Sequence, residues 1–288
     1  MPFAPQPPPD DRDDATELTG RPGEKVMGFL DHLEELRWTL VKCAIVLVAF
    51  SVLSGVFLQQ VREFLEWPWH RALAAAGEVL ALRTDSPMEV YGVMVQICVT
   101  PALVVSIPFM LFFLGQFVSP ALSATEKRVV VPTVGVAVLL FLLGAAFSYL
   151  LLVPASIQVA IEATKWMGYA MIWTVGSYYS LMTWLVVGMG VVFEFPLVVL
   201  ALSFLGIVEV ATFRKSRRLV IVICFIVAAI VTPTPDPITQ SLVAAPLWVL
   251  FELSLIVAAI VEKRKAKAKL AEEAAEAKAH DWRDTYGG

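Results

Sequence analysis

The sequence predicts an all-α, polytopic membrane protein with six transmembrane helices and both termini on the cytoplasmic side. Three observations predict this fold class. Hydrophobic residues make up 58% of the 288 residues, far more than an ordinary soluble domain contains. Long apolar runs recur between short polar segments, as membrane-spanning helices require. Basic residues lie mainly in the segments on one side of those runs.

The charge bias decides the orientation. Only four of the 22 lysine and arginine residues fall on the side opposite the termini, and these are Arg62, Arg71, Arg83 and Lys165. Because loops rich in basic residues stay in the cytoplasm, both termini are expected to be cytoplasmic.

The N-terminal part of the chain begins outside the membrane. Residues 1–26 are rich in proline and acidic residues and predict a disordered tail, not a signal peptide. The next stretch, GFLDHLEELRWTL at residues 28–40, has an apolar stripe and an acidic face at helical spacing. It predicts a surface helix that leads into span 1, at about residues 38–58. A solvated helix whose acids favour its N-terminal end is the alternative.

Residues 59–85 are too polar to cross the bilayer. They contain Phe64, Trp67 and Trp69, which are typical of a segment that lies at the membrane interface. We therefore expect this segment to rest against the membrane surface.

Spans 2 and 3 are predicted at residues 87–115 and 129–153. Span 2 begins with a capping box and contains two prolines, so it should be bent. A second polar loop is predicted at residues 154–177.

Span 4, residues 178–205, carries a single charge, Glu194. A lone carboxyl group deep in the bilayer costs about 2.5–3.5 kcal/mol on insertion scales, so such a residue usually has a function. Pro196, two residues later, should kink the helix and expose polar backbone beside the carboxyl group. The alternative is a protonated glutamate that is hydrogen-bonded to a neighbouring helix.

Spans 5 and 6 are expected to be short. Span 5, residues 219–232, gives only about 21 Å of helix, which is less than an average bilayer requires. Asp236 in the following turn is the expected N-cap of span 6, residues 238–261, and capping explains this residue as well as a function would. Residues 262–288 form a charged, helix-prone cytoplasmic tail.

The sequence argues against an enzyme. It contains no phosphate-binding glycine loop, its three cysteines lack a C-x-x-C spacing, and its three histidines are scattered. We therefore expect no metal, no cofactor and no nucleic-acid partner. The acidic residues Glu35, Glu126 and Glu252 lie on the side of the termini. Glu126 either caps span 3, as part of a capping box, or receives a basic peptide, since carboxylates bind guanidinium groups.

Five segments of the chain resemble, in order, the motifs of the TatC family, the large multispanning subunit of the twin-arginine protein translocase. They are FLDHLEELR, FVSPALSATEKR, GAAFSYLLLVP, FEFP and TPTPDPITQSLVAAPLWVLFE. The resemblance covers about residues 27–261 and is specific as a set, although each motif alone would be weak.

The resemblance implies a receptor for twin-arginine signal peptides. Glu126 and Glu35 would accept the arginine pair of the peptide. Phe117, Leu36 and Arg37 would shape the surrounding surface.

The resemblance also implies sites within the membrane. Glu194 would be an intramembrane acid on the concave side of the protein. Asp236 and Gln240 would belong to a partner-binding edge formed by spans 5 and 6.

The implied function is the export of folded proteins across a bacterial or archaeal cytoplasmic membrane, driven by the proton-motive force. The implied partners are the single-span proteins TatB and TatA and further copies of the chain. Two alternatives from other classes remain at this point. One is a proton-coupled carrier of small solutes in which Glu194 is the proton site, and the other is a scaffold that recruits membrane proteins.

Overall fold

The structure, a computed structural model, describes residues 29–118, 124–204, 210–232 and 236–286. Within these ranges the chain is almost entirely helical, and the β-type pairing is limited to an isolated bridge between Arg83 and Thr174. The helices are α1 (Phe29–Val56), α2 (Leu58–Ala76), α3 (Pro87–Val118), α4 (Ala124–Phe147), α5 (Val153–Trp166), α6 (Val175–Val192), α7 (Phe195–Phe204), α8 (Val210–Lys215), α9 (Arg217–Val231) and α10 (Pro237–Tyr286).

Five stretches of the described chain are long and apolar enough to cross a membrane. They are His32–Val56, Pro87–Phe117, Thr133–Trp166, Val175–Ser203 and Pro237–Lys263. Helix α9 is apolar but has only 15 residues, about 22 Å of helix. The all-α membrane fold is thus confirmed, whereas a sixth crossing by α9 stays a prediction.

The polar loop predicted at residues 154–177 is wrong for its first half. A π-helical segment, Ser148–Leu152, joins α4 directly to α5, which continues to Trp166. Pro154 cannot donate a hydrogen bond to the carbonyl oxygen of Leu150. That oxygen accepts a hydrogen bond from Arg71 at 2.9 Å instead, so the helix passes the proline.

Two other boundaries also differ from the prediction. Helix α1 includes both the amphipathic stretch and span 1 without a break, and α10 includes span 6 and most of the charged tail. The kink predicted at Pro196 is present, because span 4 consists of two helices, α6 and α7, and the chain leaves helical geometry just before this proline. Residues 1–28 lie outside the described residues, so the predicted disordered tail is not tested.

Helix α6 lies at the centre of the fold and packs against α3 and α4. Its inward residues, including Tyr178, Met182 and Leu185, are buried. Two glycines allow α4 and α6 to approach closely. A Cβ atom at Gly144 would lie 2.6 Å from the carbonyl oxygen of Met189, and such small residues are typical of helix contacts in membranes.

The bundle has two ends, which we name after residues that lie there. The His32 end contains the beginnings of α1 and α4 and the end of α3. The Trp69 end contains α2, the end of α5, and the beginnings of α3 and α6.

A network of backbone and side-chain bonds closes the Trp69 end. The carboxylate of Glu89 accepts hydrogen bonds from the backbone N–H groups of Asp85, at 2.6 Å, and Gly176, at 2.8 Å. The beginnings of α3 and α6 are therefore held at the same level.

Candidate functional site

The first candidate site lies at the His32 end, where α1 meets the end of α3. The ring of Phe117 stacks on the imidazole of His32, with a centroid distance of 4.4 Å and an interplanar angle of 16°. Glu35 and Leu36 lie one turn further along α1 and are half-buried, while Arg37 is exposed. The structure therefore brings Phe117, predicted from a different segment, to the same helix as these three residues.

The carboxylate of Glu35 is the chemically distinctive group of this site. Its Oε2 atom is buried and has no hydrogen-bond partner among the described residues. Buried carboxylate oxygens are nearly always hydrogen-bonded, because an unpaired one loses its hydration without compensation. Such an oxygen can accept a hydrogen bond from a cationic donor that binds there.

Glu126 is the third residue of α4, close to the position that the capping-box prediction gives it. Its side chain and the residue expected to be the N-cap, Ser123, lie outside the described part of the chain. The contact between Glu126 and Glu35 that the sequence predicts therefore stays a prediction.

The second candidate site is the interruption between α6 and α7, where Glu194 lies. The backbone N–H of Glu194 bonds to the carbonyl oxygen of Val191 at 3.0 Å, and its own carbonyl oxygen accepts the N–H of Leu197 at 2.9 Å. Pro196 is the second residue of α7, where a missing N–H is not needed. The break therefore leaves the side chain of Glu194 at a junction of two helices.

The Oε1 atom of Glu194 is also buried without a hydrogen-bond partner among the described residues. The neighbouring Phe193 packs against Phe147, with ring centroids 5.8 Å apart, and fills the space beside Gly144. A buried oxygen that accepts no hydrogen bond in the described chain gives little support to a purely structural role for this carboxyl group.

The third candidate site is the edge formed by α9 and α10. Asp236 caps α10 as predicted, since its carboxylate accepts hydrogen bonds from the backbone N–H of Thr239, at 2.7 Å, and from the hydroxyl group of Thr239. Gln240 follows one turn later and is half-buried. The N-cap interpretation of Asp236 is confirmed, and any further role of this residue is untested.

A hydrogen bond that the sequence did not predict determines the depth of this edge within the bundle. The indole N–H of Trp184 on α6 donates to the carbonyl oxygen of Val231, the last residue of α9, at 2.9 Å. Trp184 lies nine residues after the beginning of α6, so the end of α9 lies about 14 Å below the Trp69 end of the bundle. The end of α9 is therefore recessed into the span.

Sequence reasoning also missed the partner of Glu252. Its carboxylate pairs with the guanidinium group of Arg217 at 2.7 Å, which connects the beginning of α9 to the first third of α10. The two residues are 35 positions apart, and no local pattern reports such a pair. Among the residues that the structure describes, no cluster of His, Cys, Asp or Glu side chains could hold a metal ion.

Comparison with known proteins gives consistent matches over most of the chain. The family described as Sec-independent protein translocase protein (TatC) matches residues 31–246. The protein of that name from Koribacter versatilis is 32% identical over 253 residues, covering 88% of this chain and 93% of the relative. The one from Helicobacter pylori is 36% identical over 231 residues, covering 80% of this chain and 88% of the relative.

Solved structures agree with these sequence matches. A crystal structure of the twin arginine translocase receptor TatC is similar, with a TM-score of 0.63 at 30% identity, and the match covers 80% of this chain and 98% of that chain. A second crystal structure of that receptor, in DDM, gives a TM-score of 0.65 at 31% identity, covering 79% of this chain and 99% of that chain.

Proposed function

The chain belongs to the TatC family of Sec-independent protein translocase proteins, and we propose that it is the signal-peptide receptor and core subunit of a twin-arginine translocase. In this role it binds twin-arginine signal peptides at the cytoplasmic membrane surface. It then takes part in exporting folded proteins across that membrane, driven by the proton-motive force. The role is protein transport, not catalysis, and nothing in the comparisons supports a small-solute carrier.

The observation that carries the proposal is the buried, unpaired oxygen of Glu35 beside the stacked rings of His32 and Phe117. Two neighbouring guanidinium groups are costly to move into hydrocarbon, so a receptor should hold them at the membrane surface. Guanidinium groups bind carboxylates through two hydrogen bonds and stack on flat rings. The carboxylate of Glu35 can accept such hydrogen bonds, and the rings of His32 and Phe117 offer flat surfaces for stacking.

Further residues complete the proposed receptor surface. Glu126, at the beginning of α4, is proposed to share the arginine pair with Glu35. Leu36 and Arg37 are proposed to border the peptide. The charge bias supports a cytoplasmic location for the His32 end and for both termini, because the basic loops lie on that side.

The other two sites fit later steps of transport. Glu194 is proposed to be an intramembrane acid that acts during translocation. The edge with Asp236 and Gln240 is proposed to bind the single-span partners TatB and TatA, and further copies of the chain are proposed to join the complex. The recessed end of α9 supports a region of thinner membrane at this edge.

Replacement of Glu35 by Gln tests the receptor function. In the full-length chain in lipid nanodiscs, Glu35→Gln should weaken binding of a fluorescent twin-arginine peptide about tenfold, because one charge-assisted hydrogen-bond acceptor is lost. The measurement is a fluorescence-anisotropy titration. A peptide with two lysines should bind the unmodified chain weakly.

Glu34→Gln is the matched control, since Glu34 is an exposed acid on the same helix. This variant should bind the peptide as the unmodified chain does. Equal affinities for Glu35→Gln and Glu34→Gln, with both proteins folded, would remove Glu35 from the receptor site.

A further inference from the structure

An open cavity of about 460 Å³ lies between α2 and the π-helical segment at the Trp69 end, remote from the three sites above. Its lining combines aromatic, aliphatic and polar side chains. The lining residues are Gln60, Glu63, Phe64, Trp67, Tyr149 and Leu150.

The cavity lies at the level of a membrane interface. Helix α2, which forms one wall of the cavity, is the segment whose aromatic residues predict an interface location. Phe64 is 58% exposed and Trp67 is 41% exposed, which is typical of aromatic side chains in contact with lipid at an interface. The cavity therefore opens toward the boundary between acyl chains and headgroups.

Side chains on both sides of the cavity hold its walls in place. Pro68 cannot donate a hydrogen bond to the carbonyl oxygen of Phe64, and the hydroxyl group of Tyr149 donates to that oxygen at 2.6 Å. On the other side, Arg71 donates to the carbonyl oxygen of Leu150 at 2.9 Å. Two proline-released carbonyl groups are thus satisfied across the same gap, so the cavity is formed before any ligand arrives.

Glu63 lines the cavity, and Arg71 lies at its border, in contact with the lining residues Trp67 and Leu150. Of the two carboxylates of α2, Glu66 pairs with Arg62 at 3.1 Å, whereas Glu63 has no ion pair among the described residues. The guanidinium group of Arg71 lies 5.2 Å from the ring centroid of Trp67 and keeps donors free for another acceptor.

Glu63 and Arg71 are eight residues apart on α2, about 12 Å along the helix axis. Two long side chains and a zwitterionic headgroup between them can bridge this interval. The stacked rings of Phe64 and Tyr149, with centroids 4.7 Å apart, supply an apolar wall next to it.

We propose that this cavity binds a phospholipid with a primary-amine headgroup. The ammonium group donates hydrogen bonds to the carboxylate of Glu63 and the amide oxygen of Gln60, and the phosphate accepts hydrogen bonds from Arg71. One acyl chain follows the apolar surface of Phe64 and Leu150. An anionic lipid without an amine is disfavoured, because Glu63 would face a negative headgroup with no cation between them.

Native mass spectrometry of the full-length chain in detergent tests the proposal directly. The chain is titrated with phosphatidylethanolamine, phosphatidylcholine and phosphatidylglycerol that have identical acyl chains. We expect phosphatidylethanolamine to bind about tenfold more tightly than phosphatidylglycerol, through the charge-assisted bonds to Glu63. Phosphatidylcholine should fall between them, since its ammonium group has no N–H donor.

Two variants separate the two charges. Glu63→Gln should reduce the affinity for phosphatidylethanolamine to that for phosphatidylglycerol. Arg71→Gln should instead weaken the binding of all three lipids by similar factors. Glu162→Gln, at an exposed carboxylate of α5, is the matched control and should leave the preference intact.

The proposal is overturned if the unmodified chain binds phosphatidylethanolamine and phosphatidylglycerol equally. It is also overturned if Glu63→Gln keeps the preference or if Glu162→Gln abolishes it. Because Glu63 is exposed and makes no ion pair in the described chain, its replacement should not affect folding, and a melting curve of each variant checks this. The result does not depend on signal-peptide binding, which is measured at the opposite end of the bundle.

Discussion

Glu35 and Glu194 each keep one buried carboxylate oxygen without a hydrogen-bond partner in the described chain. An unsatisfied buried acceptor costs about 1–3 kcal/mol, so packing alone does not explain either residue. Asp236 is the contrast, because both of its carboxylate oxygens accept hydrogen bonds from Thr239. At the scale of single residues, the unpaired oxygens separate functional candidates from caps.

Glu194→Gln should keep the fold and the affinity for a twin-arginine peptide but reduce export of a folded reporter protein by about tenfold or more. Glutamine has the same size and can still accept a hydrogen bond, but it cannot carry a negative charge or exchange a proton. The measurements are a melting curve, a peptide titration and an export assay in membrane vesicles.

The control for this variant is Glu162→Gln, at an exposed position at the Trp69 end. Undiminished export by Glu194→Gln would show that the charge of Glu194 has no role in transport. Loss of folding would instead support the alternative in which a protonated Glu194 stabilises the helix packing.

The sequence predicts some residue roles better than others, for physical reasons. The capping role of Asp236 could be predicted because an N-cap depends on the next three residues and on a proline at the first helical position. The ion pair between Arg217 and Glu252 could not, since it depends on how two helices pack. The same holds for the stacking of Phe117 on His32, which joins segments 85 positions apart.

At the scale of helices, Pro154 shows why the loop predicted at the position of α5 was wrong, and Pro68 in α2 shows the same effect. A proline inside an apolar helix usually predicts a boundary, because the carbonyl group four residues earlier loses its donor. Here Arg71 replaces the donor missing at Pro154, and Tyr149 replaces the one missing at Pro68. Both donors come from distant parts of the sequence, so the local sequence pattern could not predict them.

Tyr149→Phe should lower the free energy of unfolding by about 1–2 kcal/mol, because the carbonyl oxygen of Phe64 loses its donor next to Pro68. The aromatic ring and its stacking on Phe64 and Trp67 are retained, so the change isolates the hydroxyl group. The measurement is denaturant unfolding in detergent micelles.

Tyr169→Phe is the control for this experiment, since Tyr169 is 68% exposed. It should unfold at the same denaturant concentration as the unmodified chain. A Tyr149→Phe variant as stable as the control would mean that the hydrogen bond to Phe64 contributes nothing to the stability of α2.

At the scale of the whole molecule, hydropathy predicted the order of the long helices because the membrane constrains each span separately. The relative depth of the helices was not predictable, since it depends on contacts between them. The bond from Trp184 to Val231 is such a contact, and it places the end of α9 within the span.

The recessed end of α9 predicts that water reaches a position that would otherwise lie within the hydrocarbon layer. In a chain whose three native cysteines are replaced, a cysteine at Ile238, an exposed residue just after the turn, should react with a membrane-impermeant maleimide in nanodiscs. We expect a rate within about threefold of that at Met88, which lies at the beginning of α3, because a thinned bilayer exposes both positions.

Val95 is the matched control for depth. It is 63% exposed on α3 and lies about 12 Å below the beginning of that helix, close to the depth of the end of α9. The beginnings of α3 and α6 are held at one level by Glu89, so the two depths can be compared. A cysteine at Val95 should stay unreactive, since lipid of normal thickness covers it. If Ile238→Cys were equally unreactive, the bilayer would keep its thickness around α9, and the short helix would have to be shielded by a partner instead.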